Sequence, residues 1–161
     1  MNRTRARLRS RRGVTLLELL AVLAIIAVGS ALAGPKMFRW AHTAGQRGAA
    51  NLVVADLALA RIQAVRQGQT VSLRVTSGTT YNITVDDTNG NEVRRIKTVD
   101  LAKLYKQTSL DRTGRIAFDS RGMLRTSSTI TGVTIIRGGV QREVTVTSVG
   151  RIVRGTVSTS Y

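Results

Sequence analysis

No cysteine occurs among the 161 residues, which excludes disulfides and thiolate zinc sites and leaves the redox compartment unmarked by thiols. His42 is the only histidine, so a nucleophile–histidine dyad or a histidine-rich metal site has nothing to draw on. G-x-S-x-G, P-loop and H-E-x-x-H patterns are absent as well, and neither catalytic residues, a metal nor a cofactor is expected: the chain does not read as an enzyme. Aromatic residues are confined to Phe38, Trp40, Tyr81, Tyr105, Phe118 and Tyr161, too few to offer stacking platforms for single-stranded nucleic acid. Acidic residues are scarce too, nine against 25 Lys and Arg, for a net charge of +16. One acidic stretch, residues 86–92, invites a calcium reading. Aligning Gly90 with the sixth position of a calcium loop puts Val85 and Ile96 where the first and last ligands belong, so the stretch reads as a turn.

What is there begins with six arginines in the first twelve residues, meeting an apolar run at Gly13. Residues 14–33 contain no Lys or Arg and carry Glu18 as their only charge, long enough to cross a bilayer as a helix. Arginines before the run and only Lys36 and Arg39 just after it place the N-terminus in the cytoplasm. A carboxylate in such a run costs a few kcal/mol unless it is paired. A cut after Gly13 would supply the partner, because Glu18 becomes the fifth residue and the new α-amino group of Val14 is a cation. Two alternatives are a plain uncut anchor, which leaves Glu18 unpaired, and an ordinary secretory signal cut after Ala31-Leu32-Ala33. The second has an apolar region longer than the usual ~7–15 residues and interrupted by Glu18.

The junction Gly13-Val14-Thr15-Leu16-Leu17-Glu18 resembles the class III leader of type IV prepilins and type II secretion pseudopilins. That resemblance implies cleavage by a prepilin peptidase after Gly13, N-methylation of Val14, and an assembly role for Glu18. Val14 departs from the Phe usual at that position.

Beyond Pro35, Leu52, Ala55, Leu59, Ile62 and Val65/Arg66 recur at three- and four-residue spacing, predicting an amphipathic helix with that apolar stripe, ending near Gly68. Helix is expected from Val14 to about Gln67, interrupted or kinked near Gly34-Pro35. The period then changes to two. Val71, Leu73 and Val75, then Tyr81, Ile83 and Val85, alternate with polar residues, and Asn89-Gly90 separates the second run from 93–97 as a hairpin signal. Further strands are expected at 114–118, 129–136 and 140–149, the last two joined by Gly138-Gly139, with 151–157 as a short final strand or tail. The organisation is a leader (1–13), a transmembrane and assembly helix (14–34), its amphipathic continuation (35–68) and an antiparallel β-sheet domain (69–161), an α+β architecture. The segments DLALARIQAVRQGQTVSL, IAFDSRGML and REVTVTSVGRIVR, in that order after a prepilin leader, are similar to landmarks of minor pseudopilins of the GspH/FimT kind. The resemblance implies the type IV pilin-like fold, partnership with other pilins, and a path from the inner membrane to a cell-surface or periplasmic fibre.

From Gly34 onward there are 19 basic and eight acidic residues, so the excess of positive charge outlives any loss of the leader. Residues 112–161 hold eight arginines against Asp119 and Glu143. Arginine suits phosphate because its planar fork binds two oxygens at once, although scattered arginines on a solvated sheet face explain the same count. FimT-like minor pilins are associated with DNA uptake in natural transformation, through a Gly-Arg-x-Arg motif near the C-terminus. Gly150-Arg151-Ile152-Val153-Arg154 resembles it with one extra residue, which in an extended strand sets the two arginines on opposite faces. The resemblance implies duplex-DNA contacts from Arg151 and Arg154, and the charge pattern adds Arg125, Arg137, Arg142 and Arg121. The alternative is a purely structural minor pseudopilin of a type II secretion system.

Overall fold

The computed structural model describes residues 15–159, with side chains described at all of these positions except 31–43, 157 and 159. The leader, Gly13 and Val14 lie outside the described residues. The chain divides into two compact units, the second of which is Trp40–Tyr161.

Helix α1 is assigned over Leu16–Gln67, without the interruption expected at Gly34-Pro35. Its first turn carries a cap not foreseen from the sequence. The Thr15 hydroxyl accepts the Glu18 backbone N–H at 3.2 Å, so Thr15 and Glu18 stand in the S/T-x-x-E spacing of a capping box, with the acid near the positive end of the helix dipole. In the stretch Leu16–Ser30 every side chain is exposed, including Leu16, Leu17, Leu20, Ile25 and Val28. Such a continuous apolar surface has no favourable place in water. Ala44–Gln67 also has the length and apolar character of a membrane span, yet it is a core helix of the second unit, burying Ala49, Ala50, Val53, Leu57, Ala60 and Ala64.

That buried face is not the stripe read from the sequence. Ile62 and Val65 are exposed (54 % and 51 %), and Leu52 and Leu59 are only half-buried. The helix turns its alanines inward because a methyl side chain brings the backbone close to the sheet, and the larger residues then stand to the sides.

Gly68, with φ +63°, follows the helix and the chain enters the strands. The expected single sheet is two. The first has the order β3-β2-β1-β5, from β1 (Thr70–Val75), β2 (Thr80–Asp86), β3 (Glu92–Asp100) and β5 (Gly114–Phe118). The second, β4-β6-β7-β8, is built from β4 (Thr108–Leu110), β6 (Gly132–Arg137), β7 (Val140–Val146) and β8 (Ile152–Thr159). All pairings are antiparallel. The one-turn helix α2 (Leu101–Leu104), capped by Asp100, and the short β4 were not legible as separate elements. Residues 129–131 do not belong to β6: Thr129 and Ile130 donate their N–H groups to Arg115 O of β5. Likewise β7 stops at Val146, where Gly150 N–H closes a turn on Thr147 O.

Alternation decides the core. Leu73 lies opposite both Ile83 and Ile116, and these join Val71, Tyr81, Phe118 and the helix alanines, with Val133, Ile135, Val144 and Val146 from the second sheet. One polar staple crosses the core. The Tyr81 hydroxyl donates to buried Asp56 of α1 at 2.7 Å, and Lys97 Nζ reaches both oxygens of that carboxylate at 2.7 and 2.9 Å. Burial, and then the bond to Asp56, pushes the Tyr81 hydroxyl well above its ordinary range.

Candidate nucleic-acid interface

The arginines fall into three groups. The first faces inward. On the side of the first sheet away from the core, Asp86 accepts from Ser72 Oγ and Thr84 Oγ1 at 2.7 Å each, and from Arg74 and Arg115 at 3.2 Å each. Arg115, nearly buried, also donates to Gly90 O at 2.6 Å and Ser127 O at 2.7 Å, while Arg74 reaches Gly90 O at 3.0 Å. Arg125 completes the set with Thr70 Oγ1 at 2.5 Å and Thr88 O at 3.1 Å. Three guanidiniums thus pin the β2–β3 turn and the β5–β6 loop across a polar sheet face. Arg125, a DNA candidate from the sequence, has its terminal nitrogens engaged there.

The acidic stretch serves the same turn. Gly90 N–H donates to Asp87 O, Asp87 Oδ1 accepts Asn91 N–H at 2.7 Å, and Gly90 takes φ +88°. The Asn91 backbone N–H, and then its side-chain amide, holds the Asp87 carboxyl below the usual carboxylate range.

A second group sits where two turns meet. Gly122 (φ +76°) and Gly150 (φ +77°) touch so closely that a Cβ on Gly150 would run into Gly122 O. Arg61 of α1 donates Nε–H to Gly122 O at 2.9 Å. Arg121 and Arg151 flank these glycines. Arg121 is held by Asp119 through Nε and Nη2 at 3.2 and 3.1 Å. Arg151 is exposed and is engaged only through its backbone, whose N–H donates to Thr147 Oγ1 at 3.2 Å and whose carbonyl accepts the Thr147 N–H at 2.9 Å.

The third group lies beside α1 at the second sheet. Arg47, Asn51, Arg142 and Arg154 line an open cleft of about 440 Å³, and no carboxylate is among its described lining residues. Arg154 Nη1 donates to Asn51 Oδ1 at 2.7 Å. Among the described residues, neither Arg47 nor Arg142 makes a hydrogen bond or ion pair, and Arg142 Nε is shielded from solvent without an acceptor. Arg154 reaches the cleft through a register shift. Arg142 faces Val157, but Val144 faces Arg154, so β8 holds an extra residue around Gly155. The displacement puts Arg154 on the helix-facing side with buried Val144. Regular pairing would have given that place to Gly155.

Arg137 belongs to none of these: its Nε–H donates to Lys106 O at 3.0 Å and its guanidinium lies against Gly45 of α1. The structure therefore brings Arg142 and Arg154 together, sets Arg121 and Arg151 at another corner, holds Arg125 on the first sheet, and keeps Arg137, against Gly45, outside the lining of the cleft. Sequence reading missed Arg47 and Asn51. They are one helical turn apart and so share a face, but only the packing of β7 and β8 beside that face reveals them. Glu18 is exposed in the first turn of α1.

Comparisons agree with this architecture. The prokaryotic N-terminal methylation motif matches residues 8–34. Two crystal structures of the type IV minor pilin FimU from Pseudomonas aeruginosa (strain PAO1) share the fold. The P21 form has 20 % identity and a TM-score of 0.54, covering 68 % of this chain and 87 % of that one. The P65 form has 20 % identity and a TM-score of 0.52, covering 68 % and 92 %. No curated protein sequence matches the chain. The type II transport protein GspH family model matches residues 49–150, more than half of the chain. With a methylation motif ahead of an apolar helix and an antiparallel β domain behind it, the chain belongs to the GspH family and is a minor pilin or pseudopilin.

Proposed function

We propose that prepilin peptidase cuts this chain after Gly13, that Val14 is N-methylated, and that the apolar helix holds the subunit in the inner membrane until a pilus-like fibre extracts it. The methylation motif over residues 8–34, with Glu18 as the only charge in the apolar run, carries this reading. Glu18 acts twice: it stands third in a helix start capped by the Thr15 hydroxyl, where a capping-box acid belongs, and its charge neutralises the Val14 amine in its own or a neighbouring subunit. The exposed Ile62 and Val65 of α1 suit packing against other pilins.

Mass spectrometry of the mature N-terminus should give N-methyl-Val14; a chain beginning at Gly34 would return the protein to ordinary secretion. Glu18→Gln tests the division of labour, since glutamine keeps the capping-box chemistry and loses the charge. Glu18→Gln should be cleaved normally yet fail to enter fibres as badly as Glu18→Ala. Normal incorporation of the glutamine variant would leave the cap as the whole role of Glu18.

The fibre's outer task, in this reading, is to hold duplex DNA without sequence preference for uptake in natural transformation. Support comes from arginines without acid partners, Arg151 at one corner and Arg47 and Arg142 at another. Phosphate contacts carry no base information, so the mature protein in detergent micelles should bind duplexes of unrelated sequence with similar affinity, weakening as salt rises. The second reading, a structural piece of a type II secretion pseudopilus, is favoured by the description of the matching family as a type II transport protein. Absence of DNA binding at about 50 mM salt, where counterion release should favour it most strongly, would decide for that second reading.

A further inference from the structure

We infer that the cleft of Arg47, Asn51, Arg142 and Arg154 is the seat of a DNA backbone phosphate, so that α1 contributes to the contact along with the C-terminal strands. This rests on the DNA-uptake reading above and gives it a location that shares Arg154, but not Arg151, with the Gly150-to-Arg154 motif. Nearly every other arginine of the second unit whose side chain is described has an internal acceptor. Arg74 and Arg115 have Asp86, Arg95 has Glu92, Arg112 has Asp111, Arg121 has Asp119, and Arg61, Arg125 and Arg137 have backbone carbonyls. Arg66 and Arg151 lack one and are exposed, whereas Arg47 and Arg142, which lack one too, line the same cleft.

Three cations gathered from α1, β7 and β8 repel one another, and an Nε–H shielded from solvent without an acceptor adds the cost of an unmade hydrogen bond. Both penalties are relieved by an oxyanion entering between the guanidiniums. The site is also prepared for one. Asn51 takes one N–H of Arg154 and fixes that side chain, leaving its remaining donors unassigned, and the bulge at Gly155 puts it on the helix-facing side. A single acidic side chain would offer two oxygens and one charge to three forks. A duplex backbone presents successive phosphates to the cleft and to the exposed guanidiniums at its rim, and arginine binds phosphate bidentately.

The test measures binding of a labelled duplex by the mature full-length protein in detergent micelles over a salt series. Each lost phosphate contact should flatten the log–log slope by roughly 0.9. Arg47→Gln should remove about one such step, and Arg47→Gln with Arg142→Gln about two, at unchanged melting temperature. Arg95→Gln, which breaks only the exposed pair with Glu92, should leave the slope alone. Adding duplex should also shift the Arg142 Nε–H resonance. Arg47 lies at an exposed helix position, so its variant carries the test even if Arg142→Gln unfolds the chain. If the parent protein binds DNA while Arg47→Gln keeps its slope and the Arg142 resonance stays still, the cleft is wrong and DNA uptake stands on other arginines. If the parent binds no DNA at about 50 mM salt, the uptake reading fails and the cleft loses its occupant. Binding of an acidic peptide but no duplex would likewise overturn the phosphate assignment.

Discussion

The two sheets of the globular unit are both rich in arginine and use it in opposite ways. In the first, Arg74, Arg115 and Arg125 turn their charge inward, onto Asp86 and the carbonyls of Gly90, Thr88 and Ser127. Beside the second, Arg142 and Arg154 meet Arg47 in a cleft with no acid among its described lining residues. What separates the two uses is the location of the acceptors. A guanidinium that meets a buried carboxylate becomes part of the scaffold, because removing either partner strands a charge in a poorly solvated place. A guanidinium left without one costs little stability to remove and remains available to something outside. Counting arginines cannot distinguish them.

The largest effect should come from breaking the inward network. Arg115→Met leaves Asp86 with Arg74 and two hydroxyls, and should cost about 3 kcal/mol, the low end for breaking a buried pair, read as a lower midpoint in chemical unfolding. The matching change across the molecule, Arg47→Gln at an exposed helix position of the cleft, should stay within about 0.5 kcal/mol, as surface substitutions do. Equal losses at the two sites would erase the distinction between scaffold and free arginines.

Next comes the seam between the two turns. Gly150→Ala demands a side chain at φ +77° and aims its Cβ at Gly122 O, which also receives Arg61. Left-handed strain of about 1–2 kcal/mol, with the backbone clash added, should lower the melting temperature by several degrees and displace Arg151. A variant as stable as the parent would mean that the two turns are not pressed together.

The smallest effect concerns pH. Asp87 sits below the usual carboxylate range because of the Asn91 hydrogen bonds. Its contribution is therefore complete above the unfolded value of about 3.9 and disappears as the pH falls through the lower folded value. The protection factor of the Asn91 amide, its exchange rate relative to an unfolded chain at the same pH, should stay constant from about pH 5 to 8 and fall only below about 4. The arginine cleft, with no carboxylate among its described lining residues, should not respond over that range. Loosening of the Asn91 amide near neutral pH would contradict this origin of the shift.

Local features were legible in order and type. The apolar run with Glu18, the change of period at Thr70 and the Gly138-Gly139 turn, where both glycines take positive φ, are properties of neighbouring residues. The Thr15-x-x-Glu18 spacing is a local signal of the same kind, since a capping box needs only residues three apart. Division into two sheets was not legible. Strand patterns state which residues point inward but not which strand lies alongside which, and β4 is only three residues long. The helix face was misread for a related reason: hydrophobicity favoured Ile62 and Val65, whereas packing favoured the alanines, whose small side chains admit the sheet.

The sequence alone determined that this protein has a prepilin-type start, an apolar helix and an alternating, strongly basic β domain, since each follows from composition and short-range periodicity. The tertiary structure alone decided which arginines are structural and which are free. Pairing a charge depends on partners far along the chain: Arg115 with Asp86, Arg154 with Asn51. It depends also on one extra residue in β8, which sends Arg154 to the opposite face of its strand.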